Sequence, residues 1–315
     1  MTPRNERETL TIDRSKAAAA EFGRPEIAVG STTSARRTRT LRASSFAALD
    51  PAVDVDAGPF WRALDEELAH WREAGACATF WWRDDDATAA SLSLDRLLDM
   101  SVNGGAPVAI AAIPEPLCKS LSDTLANRHT VQVLQHGFSH RNHAAGLNEG
   151  AWELGLHRDV GVIIDELTAG REILRAAFGA QFIPIMVPPW NRIDRHLLPH
   201  LQEGGFIGVS AFGQRSMRFP IAGFAEANTH FDLLAWKGAP RFRGQAAAQR
   251  DIVGHLRNRR LGMAQPDEAT GVLSHHLTLD GEAWRFLDDF VRYVARHTSA
   301  RWLSASEVFE ISGQP

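Results

Sequence analysis

The sequence lacks the features that mark several classes of protein. Its 315 residues contain only two cysteines, Cys77 and Cys118, too few for a disulfide framework; both lie in apolar runs, where small core residues are expected. No apolar run approaches the roughly 20 residues of a membrane span. The run from Ala17 to Ala20 is too short for a secretory signal. We therefore expect a cytoplasmic protein without a transmembrane segment.

A strong charge of one sign is also lacking. The formal net charge of -4 provides no basic footprint for nucleic acid, so we expect no nucleic-acid partner. No glycine-rich phosphate loop follows any of the predicted strands, which argues against the nucleotide-binding forms of an open α/β sheet. Nothing in the sequence sets the oligomeric state.

Residues 1–50 differ in composition from the rest of the chain. They are rich in Arg, Ser, Thr and Ala, carry a basic cluster from Arg36 to Arg42, and show no apolar periodicity. This pattern predicts a disordered basic tail. The alternatives are a basic arm for a membrane or nucleic acid, and a start codon assigned too far upstream. The remaining residues, 55–315, are expected to form a single domain.

From Pro59 onward, short apolar runs alternate with segments of helical periodicity. The predicted strands are 76–82, 107–113, 131–134, 182–187, 206–209, 230–234, 271–274 and 302–303. The predicted helices are 61–71, 92–100, 116–126, 152–178, 194–202 and 285–297, with another starting near residue 304. Such alternation predicts βα units around a parallel sheet, and their number favours an α/β barrel. An open doubly wound sheet is the alternative.

Polar and aromatic residues follow the ends of these strands. They are Asp84 to Asp86, His136 to His143, Pro188 to Asn191, Trp236, and the pair His275 and His276. Because the carboxyl ends of parallel barrel strands share one face, we expect these side chains to converge on one mouth. Two neutral imidazoles and a carboxylate can bind a divalent ion and leave positions open for water and substrate.

Each group also has a structural interpretation. Three aspartates usually form a solvated turn or a helix cap, although charges directly after the apolar run 78–82 are costly unless they are used. Two histidines four residues apart occur by chance in many proteins, but here His143 follows three residues later. The pair Pro188 and Pro189 could stiffen a loop. His275 and His276 could be a buried, hydrogen-bonded pair.

Taken together, the motifs resemble the polysaccharide deacetylase (NodB-homology) family over roughly residues 75–310. That family carries, in order, Thr-Phe-Asp-Asp-Gly, His-Ser/Thr-x-x-x-His or close variants, Arg-x-Pro-Pro, Asp-x-x-Asp-Trp and Leu-x-His. The matching segments here are 82–86 (WRDDD), 136–140 (HGFSH), 187–190 (VPPW), 232–236 (DLLAW) and 273–275 (LSH).

The resemblance implies a distorted (β/α)7-type barrel and a metal-dependent hydrolase that removes acetyl groups from an N-acetylated sugar. Carried over by residue, Asp85, His136 and His140 would hold the metal. Asp84 would be the general base and His275 the general acid. The metal would be Zn²⁺, with Co²⁺, Mn²⁺ or Ni²⁺ as alternatives.

The substrate would be held by residues at the same strand ends, namely Trp82, Pro189, Trp190, Asn191 and Trp236. Indole rings are apolar plates suited to the face of a sugar ring, although core packing explains any single tryptophan equally well.

The sequence departs from the family at three motif positions. The arginine before the double proline, which orients the base, is Val187; the second aspartate of the fourth motif is Ala235; the glycine of the first motif is Asp86. The base must therefore be oriented by another residue, for which Arg83 and Arg192 are the candidates. The departures also leave open whether Asp84 or Asp86 is the base, and whether the substrate is a polymer, a small glycoconjugate or a lipid-linked sugar.

Two rival functions fit part of the pattern. Two histidines and a carboxylate also form the facial triad of non-haem iron oxygenases, but there the carboxylate usually follows the first histidine closely, on an all-β scaffold. A catalytically inactive carbohydrate-binding barrel would explain the missing arginine. Such a protein would be expected to lose metal ligands as well, and here the candidate ligands are present.

Overall fold

The computed structural model describes residues 58–146 and 150–311 of the chain. The predicted tail, residues 1–50, lies outside these ranges, so its disorder and the domain boundary at residue 55 stay predictions. Within the described ranges, strands and helices alternate as the sequence predicted up to residue 207, and five short strands between residues 208 and 242 then follow one another without a helix between them. No helix found there is long and apolar enough to cross a membrane.

The elements up to the fifth strand are α1 (Pro59–Glu73), β1 (Ala78–Ala87), α2 (Leu92–Gly104), β2 (Val108–Ala112), α3 (Lys119–Leu125), β3 (Val131–His136), α4 (Val160–Phe178), β4 (Phe182–Val187), α5 (Leu198–Glu203) and β5 (Gly208–Val209). The later elements are β6 (Ala225–Glu226), β7 (Phe231–Asp232), β8 (Leu234–Ala235), β9 (Arg241–Phe242), α6 (Gln245–Ala248), α7 (Gly254–Arg260), β10 (Thr270–Ser274), α8 (Gly281–Arg296), β11 (Ala300–Leu303) and α9 (Ala305–Val308). A π-helical turn, Gln249–Val253, joins α6 to α7.

The main sheet is parallel and has the strand order β6-β5-β4-β3-β2-β1-β10-β7. β1 lies near its centre: Phe80 and Trp81 pair with β10 on one side and with β11 on the other, and β2 takes over from Arg83 onward. A short antiparallel pair, β8 and β9, stands apart from this sheet. The sheet curls into a half-barrel with helices packed on it, which confirms the predicted (β/α)7-type barrel.

Side chains of β1 alternate between two apolar layers. Phe80 and Trp82 belong to the layer under the helices, where the ring of Phe80 lies 5.6 Å from that of Phe290 in α8. Trp81 belongs to the barrel interior. Because the pleat of a strand has a period of two, Arg83 and the residue two further on continue the interior face.

The helices begin where polar side chains can accept their first N–H groups. Asp159 caps α4 by accepting the N–H of Val162, and Asp280 caps α8 by accepting from Glu282 and Ala283. α4 therefore starts at Val160, and residues 152–159, predicted as helix, are not helical.

Other boundaries also differ from the prediction. β1 extends five residues past Trp82 to Ala87, so it includes all three aspartates. The stretch 245–260, not predicted as helical, forms α6, the π turn and α7. Cys77 and Cys118 are exposed rather than in the core, and both are free thiols.

Candidate metal centre and active site

The strand ends open into a cavity of about 620 Å³. It is lined mainly by charged and aromatic side chains from the carboxyl ends of the strands and the loops that follow them. The principal ones are Asp85, Asp86, His136, His140, Trp190, Asn191, Arg192, Phe212, Asp232, Trp236, Arg243 and His275. The predicted convergence of distant motifs on one mouth is therefore present in the structure.

Three of these side chains are close enough to share one metal ion. Oδ1 of Asp86 lies 3.1 Å from Nε2 of His136 and 3.4 Å from Nε2 of His140. All the potential ligand atoms of the group lie within 4.8 Å of one another. The prediction had placed Asp85 beside the two histidines; the structure places Asp86 there instead.

Asp86 reaches this position through the backbone. Its φ of 72° is unusual for a residue other than glycine, and the pairing of β1 with β2 shifts register between Asp84 and Ala87. This irregularity turns Asp86 out of the pleat and towards the histidines. Although burial opposes its ionisation, the adjacent His136 holds the pKa of Asp86 below its usual range.

A hydrogen bond at Nδ1 of His136 leaves the other ring nitrogen, Nε2, suited to bind a metal. Nδ1 lies 3.0 Å from the carbonyl oxygen of Val187, which can only accept, so Nδ1 is the donor. Nε2, which faces Asp86, can then present a lone pair, the arrangement that metal-binding histidines usually adopt. Burial alone would lower the pKa of His136, but the carboxylates of Asp85 and Asp86 outweigh it and raise the pKa.

The loop that carries His140 is organised by Glu153, a residue that the sequence did not single out. This buried carboxylate accepts the N–H of Ser139 at 2.8 Å and those of Phe138 and His140 at 3.3 Å, together with the Ser139 hydroxyl at 3.1 Å. Gly137 has φ 58°, and a Cβ there would lie 2.1 Å from Oε2 of Glu153. A glycine is therefore required where the loop wraps the carboxylate.

Asp85 points into the cavity but is bound by an arginine rather than by the histidines. Nε and Nη2 of Arg83 each donate to one of its oxygens at 2.9 Å. Arg83 is fully buried and also donates to the backbone carbonyl and hydroxyl of Ser210 and to the side-chain oxygen of Asn191. A guanidinium on the strand of Asp85 thus holds a cavity carboxylate in a bidentate pair.

Asp84, predicted as the base, does not line the cavity. Its carboxylate accepts the Ser274 hydroxyl at 2.5 Å, the backbone N–H of His276 at 3.0 Å and the Nδ1–H of His276 at 2.5 Å. Asp84 lies on the same face of β1 as Trp82, which is turned to the helix layer. A fully buried carboxylate with these partners has no access to a water molecule in the cavity.

His275 lies where it was predicted, at the end of β10 on the wall of the cavity. Its Nδ1 is 3.9 Å from Oδ1 of Asp232, and its ring meets that of Trp236 edge-on at 4.6 Å. Asp232 also accepts the indole N–H of Trp236 at 2.7 Å. Burial raises the pKa of Asp232 above its usual value, although His275 opposes the shift.

Of the five predicted substrate-binding residues, three line the cavity. Trp190 and Trp236 are 36% and 48% exposed, and Asn191 lies beside Trp190. Trp82 is buried in the helix layer, where its indole N–H donates to Ser274. Pro189 is buried under Gly137, so these two residues support the walls instead of forming them.

A second buried group also has the composition of a metal site. His230, His255 and Glu268 bring their ligand atoms within 4.8 Å of one another. However, Nδ1 of His230 accepts the N–H of Gly271 at 2.9 Å, so the proton of a neutral ring lies on Nε2, the atom that faces Glu268. His230 then has no lone pair for a metal, and the group at the cavity fits one better.

Solved structures of known proteins share this fold, although no family model and no curated protein matches the sequence. A proposed polysaccharide deacetylase from Mycobacterium smegmatis has a TM-score of 0.52 at 16% identity, over 75% of this chain and 90% of that one. The Bc1960 peptidoglycan N-acetylglucosamine deacetylase has a TM-score of 0.45 at 17% identity, over 77% and 96%. A CE4 family pseudoenzyme from Bacillus anthracis has a TM-score of 0.48 at 11% identity, over 74% and 66%.

At these identities, the likeness concerns the fold. The chain has the fold of the polysaccharide deacetylases, as the motifs had indicated, and its sequence has diverged far from those of the solved structures. A register moved by one residue also matches both aspartates of the first motif, because Asp85, Asp86 and Ala87 then stand where the family has Asp-Asp-Gly, with Asp84 at the position of its phenylalanine. This register agrees with the positions of the three aspartates in the structure.

Proposed function

We propose that the protein is a metal-dependent hydrolase that removes the acetyl group from an N-acetylated carbohydrate. The observation that carries the proposal is the arrangement around one cavity. A potential metal-binding group, Asp86 with His136 and His140, lies next to an oriented carboxylate, and a histidine stands at the end of another strand. Metal-assisted hydrolysis of an amide can use these three groups as the metal site, the general base and the general acid.

The metal would be a divalent ion, with Zn²⁺ favoured by the two imidazoles and one carboxylate. When bound, such an ion supplies a Lewis acid for the acetyl carbonyl and lowers the pKa of a water molecule, to about 7 in the best zinc cases. The general base and the general acid would be side chains of the protein.

Asp85 is assigned as the general base, in place of the predicted Asp84. It faces the cavity, and the two hydrogen bonds from Arg83 fix its plane while each oxygen keeps a lone pair for a proton. It would take the proton from the water that attacks the acetyl carbon. Arg83 thus supplies the orienting guanidinium that Val187 lacks.

His275 is assigned as the general acid. It would donate a proton to the sugar nitrogen as the C–N bond breaks, because an amine leaves far more readily than an amide anion. The carboxylate of Asp232 lies 3.9 Å from Nδ1 of His275, next to the ring of the proposed acid. The products would be acetate and the free amino sugar. Trp190 and Trp236 would contact the face of the sugar ring.

Acetate release tests the proposal directly. The purified protein, stripped with a chelator and reloaded with Zn²⁺, Co²⁺, Mn²⁺ or Ni²⁺, would be screened against N-acetylated oligosaccharides, polysaccharides and glycolipids. We expect metal-dependent acetate release, and its loss in His136→Ala. Tight binding of N-acetylated sugars without acetate release under any metal would instead support the inactive carbohydrate-binding barrel.

A further inference from the structure

We propose that Asp84, Ser274 and His276 form a clamp that positions His275 as the proton donor. The proposal rests on the function proposed above, since it assigns a task to residues that surround the acid. Each member of the clamp is buried, and none lines the cavity.

Hydrogen bonds to Asp84 hold both sequence neighbours of His275. The Asp84 carboxylate accepts the hydroxyl of Ser274 on one side of His275 and two N–H groups of His276 on the other. Ser274 is held again by the indole N–H of Trp82, at 2.8 Å from its hydroxyl oxygen. With the residues before and after it fixed, the backbone of His275 has little freedom to shift.

The clamp also connects the two strands that carry the reacting groups. Asp84 pairs with Ser274 in the parallel register of β1 and β10. Asp85, the next residue of β1, and His275, the residue that directly follows β10, both line the cavity. One buried carboxylate therefore fixes the place of the acid relative to the strand of the base.

Stability alone does not account for these residues. A buried ion pair of this kind is costly to desolvate, and well-packed apolar side chains of similar volume are often as stable or more so. Nε2 of His276 also lacks a hydrogen-bond partner within the part of the chain that the structure describes, a further cost that apolar residues would avoid. Precise placement of His275 is the benefit that we assign to the cluster.

Leaving-group dependence separates positioning of the acid from general damage. An N-acetyl sugar needs its amine protonated, whereas the phenolate of 4-nitrophenyl acetate leaves without a proton. In Ser274→Ala and His276→Leu, we expect kcat for the amide to fall by at least about tenfold. This is part of the rate acceleration of ~10²–10⁴ that general acid catalysis supplies. The rate of ester hydrolysis and the content of bound metal should each stay within about twofold of the wild-type values.

Two variants serve as matched controls. His276→Asn keeps a donor near the position of Nδ1 and should retain most of the amide activity. Ser101→Ala removes a buried hydroxyl that donates to the carbonyl of Ala106, just before the amino end of β2, and should leave the amide-to-ester ratio unchanged. Equal losses for amide and ester, or a His276→Asn enzyme as impaired as His276→Leu, would overturn the clamp.

A measurement that needs no turnover keeps the two proposals separable. The ring signals of His275 in NMR spectra, assigned with His275→Asn, should shift or broaden in Ser274→Ala and His276→Leu. They should match the wild type in Ser101→Ala. Unchanged His275 signals in all variants would refute the clamp even in an active enzyme. Displaced signals in a protein that releases no acetate would refute only the proposed function.

Discussion

Replacing Glu153 with Gln should weaken metal binding although Glu153 is not a ligand. The carboxylate accepts four donors from the loop between the two proposed metal ligands His136 and His140, at 2.8 to 3.3 Å. An amide of the same shape keeps one acceptor oxygen and turns an NH₂ group towards either Ser139 or His140. At least one hydrogen bond is lost, and a donor then faces a donor.

The magnitude follows from the burial of the group. Hydrogen bonds to a charged group contribute about 1.5–3 kcal/mol each, so the variant should lose roughly 2–4 kcal/mol of unfolding free energy. The loop would also hold His140 less rigidly, since its backbone N–H is one of the four donors. Changes to residues that orient metal ligands typically cost about 10- to 100-fold in affinity.

The assay is competition for Zn²⁺ against a chromophoric chelator. It is run without denaturant, at a temperature at which each variant is folded. Glu226→Gln is the matched control, because Glu226 is also buried and bound to Arg195 and Asn228 but lies on β6. It should lose stability without losing metal affinity. A Glu153→Gln protein with wild-type affinity for Zn²⁺ would refute the assignment of Glu153 as an organiser of the metal loop.

Two further predictions concern the aspartates and the buried histidine pair. Asp86→Asn should lose bound metal, whereas Asp85→Asn should keep its metal and lose about 10²–10⁴ in rate. Metal analysis together with acetate release distinguishes the two variants. The reverse result would restore Asp85 as the ligand. Burial lowers the pKa of His255 to about 4, while the unfolded chain takes up that proton near pH 6.5. The unfolding free energy should therefore fall by about 3 kcal/mol between pH 6.5 and 4, and denaturant titrations should show less of this fall in His255→Gln.

The sequence predicted the scaffold because apolar periodicity and turn positions are local properties. β4 was predicted with the bounds that the structure gives, and the histidines His136 and His140 were predicted beside each other from their spacing after β3. The barrel then brought together motifs far apart in the chain, since all of them follow parallel strands. Local pattern and topology together were sufficient for this part of the site.

The roles of the three aspartates could not be read from the sequence for two physical reasons. β1 is apolar on both faces, with Trp81 in the interior and Trp82 under the helices, so no alternation reveals which residues point inward. The register shift with positive φ at Asp86 then breaks the period of two. Glu153 was missed because it lies 13 residues after His140, in a stretch predicted to be helical.

The missing arginine has a structural counterpart elsewhere in the proposed site. In the family that the sequence resembles, the guanidinium that orients the base precedes the double proline; here Val187 packs in the barrel interior instead. Arg83, two residues before Asp85 on the same strand face, places a guanidinium on that carboxylate. The absence of arginine from the third motif is therefore weak support for an inactive barrel.

Arg83→Lys tests this substitution of one arginine for another. A lysine would keep the positive charge, but its single nitrogen cannot bind both oxygens of Asp85 and also reach Ser210 and Asn191, as the planar guanidinium does. We expect unchanged metal content, a nearly unchanged KM, and a kcat lower by about 10- to 100-fold, as for other residues that act by orienting a catalytic group. A lysine variant with wild-type kcat would mean that charge alone suffices, and that the orientation of Asp85 has another source.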